Sequence, residues 1–268
     1  MDKITQQIYN EILIKIKDNS LHLASLPDLI IKVNSVLADD NKSLNDIAKV
    51  IHHEVALSTR IIRIANSPGL RGDKEVNSMV DAINRLGVTL VKNLAIVVSL
   101  NDKFTTSNMN HTTLMQEITK NSVDSGAYGF LIVKYLVSNL SPDLALLNGL
   151  ISRVGHMVIL RYLNDVAEYR KLSLKDTCNV IIDIHDKVGT TLLTNWEFPT
   201  ACLTALFSHS TANTSNPSTY RDVFVITQKY IAYKENPDPK NFLKVFDDIL
   251  SIITEHKEEF ESLRSIIS

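Results

Sequence analysis

The chain has 268 residues, 44% of them hydrophobic, with only 8 Gly and 7 Pro, so it can bury a sizeable core and does not have the composition of a disordered tail. A formal charge of −2 supplies no field that would gather nucleic acid or anionic lipid, which argues against bulk polyanion binding. Cys178 and Cys202 are isolated thiols in apolar surroundings, not a CxxC pair, and read as small core residues.

The first residues, MDKITQQIYNEILIKIKDNS, form an amphipathic helical pattern with acids and amides, not the basic and apolar layout of a secretory signal. Leu29, Ile30, Val33, Val36 and Leu37 place one stripe on a helix that follows Pro27. Ser43 and Asp46 stand at capping-box spacing before a helix with Leu44, Ile47, Ala48 and Ile51 inward. A third helix turns Leu57, Ile61, Ile64 and Ala65 inward and closes at NSPG, because Pro68 biases Ser67 away from helical angles. Ser78 and Asp81 open the next, with Val80 and Ile83 inward and Gly87 just past its end. The apolar run TLVKNLAIVVSL follows at once.

Polar residues 101–113 suggest a boundary between 1–105, an N-terminal helical subdomain, and 106–268, the two packed as one compact unit. Beyond it the pattern predicts a helix over about 114–138, one opened by Ser141-Pro142, shorter helices up to Trp196, and further helices over about 220–234 and 240–265. The segment NGLISRVGHMVI, 148–159, reads as one buried helix with Ser152 and Arg153 in its middle. Polar residues interrupt each apolar stretch before the roughly 18 residues needed to cross a bilayer, so the expected setting is the cytoplasm with no membrane partner. No alternation is long enough for a sheet, and the fold class is all-α.

Four blocks together resemble the HDOD domain family: LPDLIIKVNSVLADDNKSLNDIAKVIHHEVALSTRIIRIANSP, AINRLGVTLVKNLAI, LLNGLISRVGHMVIL and HDKVGTTLLTNWEFPTACLTALFSH, in matching order over about 21–212. The resemblance implies a multi-helix HD-like bundle in a bacterial signalling protein, related to HD-type metal phosphohydrolases but generally without their metal ligands. In a catalytic relative, GLLHDIG supplies adjacent His and Asp ligands to divalent ions. Here the matching positions are Ser152 and Arg153, and a serine hydroxyl is a poor ligand while a guanidinium repels a divalent cation. The counterpart of the first family histidine falls near Asn121-Ser122.

The resemblance therefore implies no catalytic residue, no metal site and no cofactor. His185 and His209 match positions often occupied by histidine and are the weak candidates for a vestigial metal or anion site, satisfied structural histidines being the plainer reading. Adjacent His52 and His53 diverge on their helix and suit surface contacts. Arg153 could receive a nucleotide phosphate, although a pairing with Asp124, Asp183 or Asp186 is favoured because a buried charge demands a partner. Asn66, Ser67, Gly87, Gly149, Gly155, Trp196 and Pro199 are motif residues with structural roles: Asn66 and Ser67 as caps, Gly155 at a close helix approach, Trp196 as a core anchor beside Pro199. A helix-turn-helix around AINRLGVTLVKNL is disfavoured because Leu90, Val91, Leu94, Ala95, Val97 and Val98 make the second helix apolar on most sides. The tail TEHKEEFESLRS reads as a solvated helix face. The expected role is non-catalytic, through contacts with a signalling or regulatory protein, with a nucleotide as a candidate ligand. The alternative is a metal-dependent phosphohydrolase with displaced ligands.

Overall fold

The computed structural model describes residues 1–18, 43–52, 55–67, 74–88 and 108–265, with positions 32, 36, 72, 90, 91 and 94. Among them every regular element is helical, as the periodicity predicts. The expected helix after Pro27, most of the run after Gly87 and His53 lie outside the described residues, as do the side chains of His52 and Leu57.

Helix α1 (Lys3–Lys17) is capped by Asp2, whose carboxylate accepts from the Thr5 amide at 2.7 Å, and buries Ile8, Ile12 and Ile16. Helix α2 (Leu44–His52) follows Ser43, whose amide donates to Asp46 at 3.0 Å, one half of the expected box. Ile47, Ala48 and Ile51 face inward, but Leu44, in the first turn, stays exposed. Helix α3 (Val55–Ala65) turns Ile61, Ile64 and Ala65 into the core. Helix α4 (Met79–Leu86) is capped by Ser78 and ends at Gly87, whose φ of +80° suits a residue without Cβ.

Helix α5 (Met109–Leu136) starts before the expected 114 because Asn108 caps it, accepting from the amides of Asn110 and His111. Helix α6 (Pro142–Ile151) carries Ser141 as cap and proline at its first position. Helix α7 (Val154–Asp165) begins only three residues after α6 ends. The segment expected as one helix is thus two. Together, Pro142–Asp165 is apolar enough to pass as a membrane span, which the sequence reading did not anticipate; it is mostly buried within the bundle.

The region expected to hold shorter helices contains the 22-residue α8 (Leu174–Asn195), followed by α9 (Thr200–Phe207). Helix α10 (Tyr220–Glu235) opens with a complete capping box between Thr219 and Asp222. The expected 240–265 helix is divided at His256 into α11 (Val245–Glu255) and α12 (Lys257–Arg264).

Among the described residues two apolar clusters form the core. The smaller joins Ile47, Ile51, Ile61, Ala65, Val76, Met79, Ala82, Ile83 and Val91 of the N-terminal helices. The larger runs through α5 to α12 and also takes Ile8, Ile12 and Ile16 of α1. Helix α1 is fastened there by polar contacts as well: the phenols of Tyr162 and Tyr169 donate to Glu11 at 2.7 and 2.9 Å. The C-terminal segment is not the solvated face its charges suggest. Phe260 and Leu263 are buried, and they draw α12 onto α5, where Glu259 accepts from Lys134 at 2.6 Å and from Tyr135 at 2.8 Å.

Candidate functional site

Ser152 and Arg153 occupy the break between α6 and α7. Ser152 closes α6, and its hydroxyl donates to the Gly149 carbonyl at 2.6 Å. Arg153, with φ −114° and ψ 19°, precedes α7 without a side-chain cap bond. The polar pair therefore stands where backbone groups are open and not in the middle of a continuous apolar helix.

Two glycines hold this break in place. A Cβ on Gly149 would overlap the backbone of Gly126, and one on Gly155 would overlap the His185 carbonyl. Helix α6 is thereby pressed onto α5, and α7 onto α8. The two helices follow different neighbours, and the chain bends between them.

From the break, the Arg153 guanidinium reaches α10. Its Nη2 donates to Gln228 Oε1 at 3.0 Å, and the Gln228 amide donates to Ser125 Oγ at 2.8 Å, which ties α7, α10 and α5 into one polar chain. Arg153 Nε is buried without a hydrogen-bond partner. Burial pushes the Arg153 pKa down, opposed by the field of Glu235, but a guanidinium keeps its proton throughout the working range.

The expected acidic partners of Arg153 are committed elsewhere. Asp124 meets Arg264 Nε at 2.5 Å, Asp183 lies 3.7 Å from the N-terminal ammonium, and Asp186 faces His185 at 3.2 Å. The pairing expectation is corrected: among the described residues the Arg153 cation has a neutral amide and no carboxylate at ion-pair distance. Asn121 and Ser122 do not join it either. Ser122 donates to the Ile118 carbonyl of its own helix, and Ser125, one turn further on, makes the cross-helix bond.

His156 and His185 lie side by side with ring centroids 4.2 Å apart. Burial, with His185 and Arg153 adding positive field, pushes the His156 imidazole down to about 2, so it is neutral. Both ring nitrogens of His185 face protein oxygens, Nδ1 the Ile181 and Ile182 carbonyls and Nε2 Asp186. His209 is exposed after α9. Among the described residues no group of three His, Cys, Asp or Glu side chains is placed to hold a metal ion. Ser152 and Arg153, which the family resemblance aligns with the metal dyad, do not fit one: the Ser152 hydroxyl is turned to Gly149, and Arg153 is a cation.

Of the other motif residues, Asn66 clasps Val76, donating to its carbonyl at 2.7 Å and accepting from its amide at 2.8 Å, and does not cap its own helix. Ser67 is buried with its hydroxyl unpartnered, so it does not cap either. Arg85, inside the segment of the disfavoured helix-turn-helix, donates to the Ala65 carbonyl and to Asn66. Leu90, Val91 and Leu94 are buried; the rest of that expected helix lies outside the described residues. Trp196 ends α8 and is 7% exposed, and Pro199 precedes α9. Cys178 is half-buried and Cys202 fully buried, both free, with burial pushing the Cys202 thiol up to about 12.

Sequence reasoning missed Gln228, Ser125 and Asn148. Asn148 is 2% exposed with both amide atoms unpartnered, beside Ser125 and Thr227 on a cavity of about 10 Å³. That volume holds about one water. A lone amide inside the apolar run LALLNGLI was a readable signal. Gln228 and Ser125 lie on helices whose local pattern does not distinguish them.

The HDOD domain model matches residues 23–212. The chain belongs to the HDOD domain family. Among solved structures, it resembles a Shewanella amazonensis SB2B protein provisionally named a metal-dependent phosphohydrolase, at 20% identity and a TM-score of 0.70 over 98% of this chain and 99% of that one. A Marinobacter aquaeolei VT8 protein provisionally named a signal transduction protein matches at 14% identity and 0.56, over 98% of this chain and 65% of that one. A Geobacter sulfurreducens HDOD domain protein of unknown function matches at 14% and 0.50, over 90% and 91%. At these identities the likeness is one of fold. No curated protein matches the chain. In this HDOD chain the helix break carries Ser152 and Arg153, and the surrounding helices bring Gln228 and Ser125 to it.

Proposed function

We propose that this HDOD chain is a non-catalytic signalling or regulatory module of the bacterial cytoplasm, acting through contacts with a partner protein. The observation that carries this reading is Arg153: at the position the family resemblance aligns with the second dyad ligand stands a half-buried cation whose guanidinium has, among the described residues, only Gln228 as hydrogen-bond partner. Such a group opposes a divalent ion and favours an anion, so the helix break is suited to a small phosphate-bearing ligand, a nucleotide among them, that would bias the module's contacts.

The experiment is metal analysis of the purified protein alongside hydrolysis of a chromogenic phosphodiester with Mn, Fe, Ni or Zn added. The reading expects neither stoichiometric metal nor turnover. Both together would replace it with the alternative, a metal-dependent phosphohydrolase with displaced ligands, to which the shared fold of the Shewanella protein and the adjacent His156 and His185 lend support.

A further inference from the structure

We propose that a second pocket, between α5, α10 and α12, binds a phosphate monoester whose organic part carries hydroxyl or amino donors, with Lys120, Lys234 and Tyr128 as the phosphate ligands. The cavity measures about 190 Å³ and is lined by Lys120, Asp124, Tyr128, Ile231, Lys234, Glu235 and Arg264. Neither Ser152 nor Arg153 lines it, so the proposal stands apart from the reading of the dyad positions.

The charges on its wall are not balanced against one another. Asp124 and Arg264 close as a pair at 2.5 Å, and Glu261 adds a second carboxylate to Arg264 at 3.6 Å. The remaining cations form no ion pair among the described residues: Lys234 donates to the neutral Tyr128 hydroxyl at 3.2 Å, and Lys120 has no hydrogen bond. Tyr128 forms the floor, 3% exposed, stacked on Phe260 with ring centroids 4.9 Å apart. Its hydroxyl accepts from Lys234 and keeps its own proton to give, since burial and the nearby Asp124 carboxylate push the phenol up to about 12. Two ammonium groups and one rigidly held O–H donor on one cavity suit the oxygens of a phosphoryl group.

Glu235 sets the rest of the ligand. It is exposed on the same wall, with no ion-pair partner among the described residues. A carboxylate there repels a second anionic group and accepts from a hydroxyl or amine, which selects a sugar phosphate or a nucleoside monophosphate over inorganic phosphate.

The test is calorimetric titration of the full chain, at low ionic strength, with ribose 5-phosphate, inorganic phosphate and ribose. Ribose 5-phosphate should bind, inorganic phosphate more weakly, and ribose not at all. Lys120→Met with Lys234→Met should weaken both phosphate probes by roughly tenfold or more, while the protein stays folded at the assay temperature, both side chains being exposed and the bond lost being that of Lys234 to the Tyr128 hydroxyl. Glu235→Gln should narrow the gap between the two probes. Absence of binding by either phosphate probe overturns the proposal. So does binding undiminished in the double lysine variant; if Arg153→Met abolishes that binding, the ligand belongs at the helix break instead.

Discussion

Arg153→Met removes the charge at the helix break while keeping most of the side-chain stem, and the sign of its effect discriminates between a structural and a ligand-receiving arginine. The variant loses one charged hydrogen bond to Gln228, worth about 1.5–3 kcal/mol. It also relieves the desolvation of a guanidinium that has no carboxylate and an unpartnered Nε, a cost of several kcal/mol per ion even after relaxation. The relief is the larger quantity, so the variant should be more stable by about 1–2 kcal/mol, raising Tm by roughly 2–6 °C. Arg264→Met is the control. It strips the partner from Asp124, which is 8% exposed, and because Arg264 is itself a third exposed the loss should be about 1–3 kcal/mol, below that of a fully buried pair. Thermal and urea unfolding in phosphate-free buffer at low ionic strength measure both. If Arg153→Met costs as much stability as Arg264→Met, Arg153 is a satisfied structural ion and the anion-receiving reading falls.

Asp222 gives a pH prediction. Burial disfavours its charge, but hydrogen bonds from Ser218, Thr219 and Asn213 outweigh burial and hold the carboxyl below its ordinary value. A lowered folded pKa contributes stability that is present above the unfolded value of about 3.9 and is lost as pH falls through the folded one; Asp222→Asn should therefore cost about 1–3 kcal/mol at pH 7, with the gap from wild type closing in urea melts as the pH falls below the unfolded value and through the folded one. Glu197, at φ 57° just after α8, sits in the left-handed position that glycine prefers, so Glu197→Gly should add about 1 kcal/mol by the same melts. Gly149→Ala forces α6 away from the Gly126 backbone and should cost about 3 kcal/mol or more, whereas Gly87→Ala, with open space around it and only its φ of +80° against it, should cost about 1–2 kcal/mol; equal losses would refute the close-crossing account of the helix break.

Much of the helical layout was legible because caps and stripes are local. Ser78 with Asp81, Ser141 with Pro142 and the inward row Ile61, Ile64 and Ala65 each needed only a few neighbours to declare themselves. The break at Ser152-Arg153 did not, since the apolar run continues across it and the bend is imposed by Gly149 meeting Gly126 and Gly155 meeting His185. The tail misled for a related reason. Its charges look solvated along one helix, yet Phe260 and Leu263 draw them inward, where Glu259 and Arg264 find Lys134 and Asp124. That last pairing also decides the site. The family motif points to Ser152 and Arg153, but Asp124 is taken by an arginine 140 positions away, a fact of long-range packing alone. With that acid taken, and with Asp183 turned to the N-terminal ammonium and Asp186 to His185, Arg153 is left, among the described residues, with the Gln228 amide. A cation kept in such a place should cost the fold stability, and if the Arg153→Met melts show that cost, it is of the kind a group reserved for a ligand would carry.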